Sequence, residues 1–470
     1  MRIPDYNEAR TRDKRLYKRL DFEIDKEVLG KYSGKKYFIK TYGCQMNEHD
    51  SENIAALLEK LGFSRVDNYL DADLVLLNTC SIRENAHNKA FGMLGRLKHM
   101  KLDKKNLIIG LTGCMAQEAS VVEEILRDYK FVNFVCGTHN LNELPKIIDK
   151  SIESNKQQIE VYSREGDLYE GLPVVRTNNY KAYVNIIYGC DKFCTYCIVP
   201  YTRGRERSRE KEDILAEVDE LIKDGYKEIT LLGQNVNAYG KDLYDNYNLG
   251  DLLEDIAKKD IPRIRFMTSH PWAFTDKMIE VIGKYKNIMP SIHLPVQSGS
   301  NKILRLMGRR YTRESYLELF HKIKDTIPNV SVSTDIIVGF PGEDEEDFLD
   351  TLSLVEECKY DNAFTFIFSV RRGTPAEKIK DNTTLKEKED RLQRLNEVVN
   401  KYFLENNKKL EGTILNVLVE GVSEKKDMYY GYSDTNKLIN FTSDKELIPG
   451  DIVDVEITSA KTWSLDGRVK

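Results

Sequence analysis

The sequence lacks the features of a membrane or secreted protein. No apolar run approaches the roughly 18 residues that a membrane-spanning helix needs. The segment from Met1 to Lys36 has eleven Lys or Arg residues, seven Asp or Glu residues and no apolar core, which excludes a secretory signal. We therefore expect a soluble protein of the cytoplasm, where thiols stay reduced.

The chain also lacks a surplus of basic charge. Its 71 Lys and Arg residues are outnumbered by 76 Asp and Glu residues, so the formal net charge is -5. Proteins that bind nucleic acid usually carry a basic surplus or stripe. Any nucleic-acid site must therefore be a local patch.

The 470 residues exceed the size of one hydrophobic core, which predicts several domains. After a charged arm at 1–35, short apolar runs alternate with helical periodicity and predict a parallel, Rossmann-like α/β domain at 36–152. A polar stretch around 151–158 leads to six βα units, which predict an open (β/α)6 barrel at 176–405. Strand-like runs punctuated by glycines predict a small all-β barrel at 408–470.

Eight cysteines in a reducing compartment indicate metal binding or catalysis before disulfides. Cys190, Cys194 and Cys197 form a CxxxCxxC triplet directly after the first predicted barrel strand, where βα barrels carry active-site loops. Three thiolates leave one iron of a four-iron cluster open for a small molecule. The alternative is a zinc knuckle, which would need a distant His or Cys as its fourth ligand.

A second set of cysteines follows the strands of the N-terminal domain. Cys44, Cys80 and Cys114 each come just after an apolar strand. Because the carboxyl ends of parallel strands share one edge of a sheet, these thiols can meet around one ligand. Alternatively, all three are small buried apolar side chains. Cys136 also ends a predicted strand and, on its position alone, could be a fourth ligand.

These motifs resemble those of the radical-SAM methylthiotransferase family, and the match spans about residues 36–470. From Cys197 to Arg209 the chain reads Cys-Ile-Val-Pro-Tyr-Thr-Arg-Gly-Arg-Glu-Arg-Ser-Arg, as in that family. Further segments similar to the family are 41–47, 78–86, 113–117, 231–240, 293–300 and 373–376. The resemblance implies that the C-terminal barrel is a TRAM domain.

The resemblance also implies two 4Fe-4S clusters. The CxxxCxxC triplet would hold the cluster that binds S-adenosyl-L-methionine (SAM), and the three strand-end cysteines would hold an auxiliary cluster. Cys136 and Cys358 would then be structural. Gly233 and Gln234, after the second barrel strand, would contact the SAM ammonium, and Tyr196 would pack near its adenine. The alternatives are a plain βα turn for the first two residues and core packing for Tyr196.

Four arginines alternate along the segment after the triplet. Guanidinium groups are common contacts to RNA phosphates, and a solvated basic turn is the alternative. The four candidates are Arg203, Arg205, Arg207 and Arg209.

Segments 78–86 and 231–240 look most like the family members that act beside the tRNA anticodon. They imply transfer of a methylthio group to C2 of N6-dimethylallyladenosine at position 37, with one SAM as methyl donor and another as radical source. The implied partners are the tRNA anticodon stem-loop, an electron donor such as flavodoxin or ferredoxin, and an unknown sulfur donor. Alternative substrates are threonylcarbamoyladenosine in tRNA and a ribosomal protein aspartate. A non-catalytic RNA-binding iron-sulfur sensor is the alternative without catalysis.

Overall fold

The computed structural model describes residues 1–9, 11, 17–81, 84–424 and 428–470, without the side chains of residues 6 and 84–86. Part of the charged arm (10 and 12–16) and two residues of segment 78–86 (82 and 83) lie outside the described residues. A parallel sheet, a ring of βα units and a small closed β-barrel follow one another along the chain, which confirms the predicted fold class. No helix among the described residues is long and apolar enough to cross a membrane.

The arm contains α1 (Tyr6–Ala9) and β1 (Arg19–Asp21), and the N-terminal domain follows with a six-stranded parallel sheet. Its strands are β2 (Lys36–Tyr42), β3 (Ser64–Arg65), β4 (Leu74–Thr79), β5 (Ile108–Gly113), β6 (Phe134–Cys136) and β7 (Gln158–Glu160), in the spatial order β3-β2-β4-β5-β6-β7. Its helices are α2 (Gln45–Lys60), α3 (Glu84–Asp103), α4 (Ala119–Asp128) and α5 (Leu144–Ser154). Every residue of the central strands β4 and β5 is buried, because helices cover both faces of the sheet.

The sheet extends beyond the predicted end of this domain. The polar stretch around 151–158, expected to separate two domains, contains the end of α5 and the first residue of β7. Only Ile159 of β7 is buried, so the edge strand has no apolar run that would mark it in the sequence.

The described end of the charged arm contacts both the segment after the N-terminal domain and the barrel region. β1 pairs in parallel with β8 (Leu168–Glu170), which follows the N-terminal domain. Tyr17 Oη donates to Asp242 at 2.6 Å, and Arg19 Nε donates to Asp213 at 2.7 Å. Both carboxylates belong to the barrel region.

Six parallel strands form the barrel, and a short antiparallel pair interrupts the first βα connection. The strands are β9 (Lys181–Asn185), β10 (Ile187–Tyr188), β11 (Arg207–Ser208), β12 (Glu228–Leu232), β13 (Arg263–Phe266), β14 (Ser291–His293), β15 (Ser331–Val338) and β16 (Asn362–Ile367). The helices are α6 (Val199–Thr202), α7 (Lys211–Lys223), α8 (Leu249–Ala257), α9 (Asp276–Lys284), α10 (Asn301–Leu306), α11 (Arg313–Thr326), α12 (Glu345–Cys358) and α13 (Leu385–Lys408). The hydrogen-bonded ladders are β9-β12-β13 and β14-β15-β16, so β9, β13, β14 and β16 each end a ladder.

Alternate residues of each barrel strand have different roles. Ile229 and Leu231 of β12 belong to the large apolar core beneath the helices, whereas Glu228 makes ion pairs on the opposite face. Because side chains alternate between the two faces of a strand, every second residue of each strand lies on the inner face of the barrel.

The C-terminal domain is a closed barrel in the order β17-β18-β19-β21-β20. Its strands are β17 (Ile414–Val422), β18 (Tyr429–Ser433), β19 (Leu438–Thr442), β20 (Ile452–Ala460) and β21 (Leu465–Val469). The interior is filled by aliphatic side chains and Phe441. Closure leaves no free strand edge among the residues of this domain that the structure describes.

Charged groups at the amino ends of the central-barrel strands hold the C-terminal barrel in place. Arg263 and Arg265 each donate through Nε to Glu228 Oε2 at 2.9 Å. Arg263 Nη2 donates to the main-chain carbonyls of Tyr432 and Ser433. Arg265 Nη2 donates to the Ser433 carbonyl, and Arg265 Nη1 donates to the Asp434 carbonyl at 3.0 Å. Arg263 is only 1% exposed, so this interface is desolvated.

Candidate active site

The strand-end cysteines meet at one edge of the N-terminal sheet. β2, β4 and β5 are neighbours whose last residues pair at one level, and Cys44, Cys80 and Cys114 follow that level within two residues. Cys44 is the N-cap residue of α2, and Cys114 begins a 3-10 turn. The parallel arrangement therefore brings together thiols that are far apart in sequence.

The ionisation of Cys114 reflects this proximity. Burial is the main cause that raises the pKa of Cys114 to about 12, Arg203 opposes it, and charge on Cys80 and Cys44 raises the pKa further. Within the described part of the chain, no three His, Cys, Asp or Glu side chains are spaced to hold a single metal ion. In a four-iron cluster each thiolate binds a different iron, and the three thiols offer that donor set.

Two buried asparagines fix the backbone beneath these thiols. Asn47 Nδ2 donates to Asn78 Oδ1 at 3.0 Å, and Asn78 Nδ2 donates back to the Asn47 carbonyl at 2.7 Å. Both side chains are fully buried, and Asn47 Oδ1 lies 3.4 Å from Cys44 Sγ. Both lie in segments that resemble the family, but no isolated sequence signal assigned them this role.

Gly113 shows how tightly this edge is packed. Its φ is +91°, and an added Cβ would lie 2.4 Å from Thr79 O and from Asn78 Oδ1. We expect Gly113→Ala to lower the free energy of unfolding by more than about 1 kcal/mol, because it adds backbone strain and a clash with main chain. Denaturant unfolding of the purified protein would measure the change.

A helical glycine of the same domain is the matched control. Gly92 lies in α3, is exposed, and would gain a Cβ with no atom within 4 Å. Gly92→Ala should therefore stabilise the protein by up to about 1 kcal/mol. Equal losses in the two variants would contradict the close packing at Gly113.

The CxxxCxxC triplet lies on the loop between β10 and β11, after the first barrel strand as predicted. Burial is the main cause that raises the pKa of Cys190 well above its usual value, and charge on Cys197 and Cys194 adds to it. Cys197 N donates to the Cys194 carbonyl at 3.0 Å, which folds the loop into a turn. The three thiols therefore converge at the carboxyl end of the barrel.

A buried arginine that sequence reasoning missed supports the triplet. Arg309 Nη1 donates to Cys194 Sγ at 3.4 Å, and its Nη2 donates to the Pro295 carbonyl at 2.9 Å. Arg309 Nε donates to the Tyr311 hydroxyl at 2.9 Å. These bonds hold the Arg309 guanidinium beside Cys194, which is 115 residues away in the sequence. No local motif predicts this contact.

Amide groups follow β12 where the SAM ammonium was predicted to bind. The Gln234 side chain is half-buried and makes no hydrogen bond to any residue that the structure describes. Asn235 donates to Glu206 Oε1 at 2.8 Å, but its Oδ1 is buried with no partner among those residues. Gly233 allows close packing, because an added Cβ would lie 2.4 Å from Ile187 Cγ2. The two amides therefore offer acceptors, while packing alone explains the glycine.

Tyr196 packs in a small apolar cluster beside the triplet. Its ring meets that of Phe340 edge-to-face at 6.4 Å, and Phe368 belongs to the same cluster. The packing alternative for Tyr196 is therefore observed, and the adenine contact stays a prediction.

The four arginines after the triplet do not form a solvated basic turn, which was the alternative to RNA contact. Arg203, Arg207 and Arg209 are each less than 10% exposed. Arg205 pairs with Asp191 at 2.8 Å, and Arg209 makes a bidentate pair with Glu170 at 2.8 Å. Internal partners therefore occupy these guanidinium groups, and their contact with RNA phosphates stays a prediction.

Exposed aromatic side chains lie on the inner face of β16. Thr365 Oγ1 donates to Asn396 of α13 at 2.7 Å, so the alternate residues Phe364 and Phe366 face inward. They are 47% and 43% exposed, and Phe364 meets the ring of His293 at 6.0 Å. The inner wall of the barrel thus carries an accessible apolar surface, here called the phenylalanine wall (Phe364 and Phe366).

Comparison with known proteins agrees with this architecture. Residues 36–137 match the uncharacterized protein family UPF0004, residues 184–355 match the radical SAM superfamily, and residues 408–470 match the TRAM domain. The sequence is 55% identical over 468 residues to a tRNA-2-methylthio-N(6)-dimethylallyladenosine synthase of Staphylococcus epidermidis, covering 99% of this chain and 91% of that protein. A synthase of the same name from Staphylococcus aureus gives the same values. The chain belongs to the tRNA-2-methylthio-N(6)-dimethylallyladenosine synthase family.

Solved structures related to this synthase-family chain show the fold. The radical S-adenosylmethionine methyltransferase TsrM of Kitasatospora setae, solved with cobalamin and a [4Fe-4S] cluster, aligns with a TM-score of 0.52 at 14% identity. The alignment covers 73% of this chain and 74% of TsrM. For the synthase-family chain, the radical SAM match implies a 4Fe-4S cluster and SAM.

Proposed function

We propose that this protein transfers a methylthio group to C2 of N6-dimethylallyladenosine at position 37 of tRNA. The observation that carries this proposal is 55% identity to synthases of that product across 99% of the chain. All three domains are covered, so the likeness is not limited to the radical SAM core. The three matched domains support a cluster-bound SAM, a second cluster and an RNA substrate.

Cys190, Cys194 and Cys197 would bind the first cluster and leave one iron for SAM. When bound, this cluster supplies the electron that cleaves SAM to a 5'-deoxyadenosyl radical. Gln234 and the unpartnered Oδ1 of Asn235 would accept hydrogen bonds from the SAM ammonium. A buried, orphaned acceptor is costly unless a ligand satisfies it, and this supports the placement.

Cys44, Cys80 and Cys114 would bind the auxiliary cluster, which would keep the incoming sulfur beside the reacting carbon. An unactivated C–H bond needs a radical, and the new C–S bond needs its sulfur within reach, so the two sites must be held together. The structure does connect the domains that carry them. Arg203, on the loop of the first site, reaches Cys114 at 3.0 Å.

The phenylalanine wall favours a prenylated adenosine over a threonylcarbamoylated one. A dimethylallyl group buries apolar surface against Phe364 and Phe366, whereas a threonylcarbamoyl group brings a carboxylate that loses its hydration there. The wall faces the interior of the barrel whose mouth carries the triplet. We therefore place the dimethylallyl group against it.

Phe366→Ser tests this placement. We expect kcat/KM with prenylated tRNA to fall roughly 10- to 100-fold, because burying a phenylalanine side chain against the dimethylallyl group would contribute about 1.5–3 kcal/mol. The Kd for unprenylated tRNA should stay unchanged. Leu349→Ser is the matched control, since Leu349 is 47% exposed on α12, outside the barrel. An equal loss of affinity for both tRNAs would contradict the placement of the dimethylallyl group against the phenylalanine wall.

The RNA partner requires accessible cations, and two cations lie beside the ring of Trp272. Lys192, within the triplet, and Arg310 each lie 5.3 Å from the ring of Trp272, which is 51% exposed. An accessible aromatic ring between two cations suits a base and its phosphates. We propose this cluster, together with the TRAM domain, as the surface that binds tRNA.

A flavodoxin or ferredoxin would supply the electron that SAM cleavage needs.

The activity test is anaerobic reconstitution with iron and sulfide, followed by dithionite, SAM and prenylated tRNA. We expect about eight irons per chain, 5'-deoxyadenosine, and a 2-methylthio nucleoside by mass spectrometry. A product only with threonylcarbamoylated tRNA, or only on a ribosomal protein, would replace the proposed substrate. Clusters without any SAM cleavage would favour the sensor alternative.

A further inference from the structure

Arg203 lies on the loop of the CxxxCxxC triplet, but its side chain contacts the cysteine site of the N-terminal domain. It follows α6 on the loop that carries the CxxxCxxC triplet. Its Nε donates to Cys114 Sγ at 3.0 Å, and its Nη2 donates to Asp50 Oδ2 at 2.6 Å. Asp50 lies on α2, the helix that Cys44 caps. One guanidinium therefore spans the radical SAM and N-terminal domains.

The surroundings of Arg203 make this contact strong. The side chain is 7% exposed, so solvent does not compete for its N–H groups. A buried guanidinium is costly unless it is paired, and Asp50 is the carboxylate that pairs with it. The planar fork of arginine serves a carboxylate and a sulfur at once, whereas a lysine ammonium has no such fixed geometry.

We propose that Arg203 is the positioning residue of the auxiliary cluster: it holds Cys114 in place, raises the cluster's reduction potential, and fixes it relative to the SAM site. This inference rests on the proposed function, which places a cluster at Cys44, Cys80 and Cys114. Hydrogen bonds to ligating sulfurs, and nearby positive charge, stabilise the more negative, reduced cluster and so raise its potential. Partners of metal ligands also set how firmly the metal is held.

Arg207 provides a matched control on the same loop. It is also 7% exposed, but its Nη1 donates to the Gly166 carbonyl at 2.7 Å and its Nη2 to the Arg203 carbonyl at 3.5 Å. Removing either guanidinium disturbs a buried cation of this loop. Only the change at Arg203 removes a donor to a cysteine sulfur.

The test uses the full-length chain with all three triplet cysteines changed to alanine, so that only the auxiliary cluster forms. In this background Arg203→Gln, Arg203→Lys and Arg207→Gln are compared by iron content, by redox titration followed by EPR, and by iron release to a chelator. We expect Arg203→Gln to shift the potential to more negative values and to release iron about 10- to 100-fold faster. Arg203→Lys should restore part of both effects, and Arg207→Gln should leave the potential unchanged.

The outcomes separate this inference from the proposed function. If the triplet-free chain retains about four irons and Arg203→Gln matches it in potential and iron release, the role of Arg203 is overturned. The same holds if Arg207→Gln shifts the potential as much as Arg203→Gln. If the triplet-free chain binds no iron, the auxiliary cluster itself is overturned, and the inference falls with it.

Discussion

Changing Cys197 to alanine is expected to abolish both 5'-deoxyadenosine and methylthio product. Two thiols cannot replace three at the cluster that carries SAM, so the chemistry that depends on it is lost entirely. We expect the rate to fall by more than about 10⁶-fold, the lower range of enzymatic acceleration. Iron should fall from about eight to about four per chain, and anaerobic turnover with mass spectrometry measures both products.

Cys358→Ala is the control for this loss. Cys358 ends α12, is 4% exposed, and lies within the apolar core of the same barrel, away from the triplet loop. Its loss should cost some stability through a small cavity and leave iron content and SAM cleavage intact. A Cys197→Ala protein that still forms 5'-deoxyadenosine would refute the assignment of the triplet.

Changing Cys114 to alanine is expected to separate the two chemistries. SAM cleavage should persist, because the triplet is untouched, whereas methylthio product should fall below detection, since the sulfur would have no cluster to hold it. Iron should again fall to about four per chain. Parallel assays of 5'-deoxyadenosine and modified nucleoside measure the two reactions in one mixture.

Cys136→Ala is the matched control within the same sheet. Cys136 ends β6 and is fully buried, and its Sγ donates to the carbonyls of Gly137 and Asn140 at 3.6 Å. Burial raises its pKa, and the nearby charges that add to this are Glu143 and Glu160, not other thiols. We expect the variant to keep both clusters. Loss of product in Cys136→Ala, with product retained in Cys114→Ala, would reverse the two roles.

The sequence was most informative where apolar strands carry a cysteine at their ends. Parallel strands impose a common edge, so the strand pattern placed Cys44, Cys80 and Cys114 at one edge of the sheet, whereas the choice of these three over Cys136 came from the family resemblance. The barrel was predictable for the same reason, since its strands are short, apolar and separated by amphipathic helices. β7 was missed because an edge strand needs only one buried side chain.

Long-range ion pairs were not predictable from the sequence. A run of alternating arginines resembles a solvated turn, and the partners that bury it lie elsewhere: Asp50 is 153 residues from Arg203, and Glu170 is 39 residues from Arg209. The phenylalanine wall was hidden for another reason. Alternation predicts a strand, but it does not say which face turns toward the interior of the barrel.

The contact between the central barrel and the TRAM domain has a consequence for how these chains diverge. Arg263 and Arg265 donate to the main-chain carbonyls of Tyr432 and Ser433, at the end of β18, and of Asp434, which follows it. Every amino acid provides such a carbonyl. These carbonyl contacts do not themselves depend on which side chains the three residues carry. The length of this segment does matter, because one inserted residue would move the three carbonyls out of register with the two guanidinium groups. We therefore expect related sequences to accept substitutions at this contact more readily than insertions.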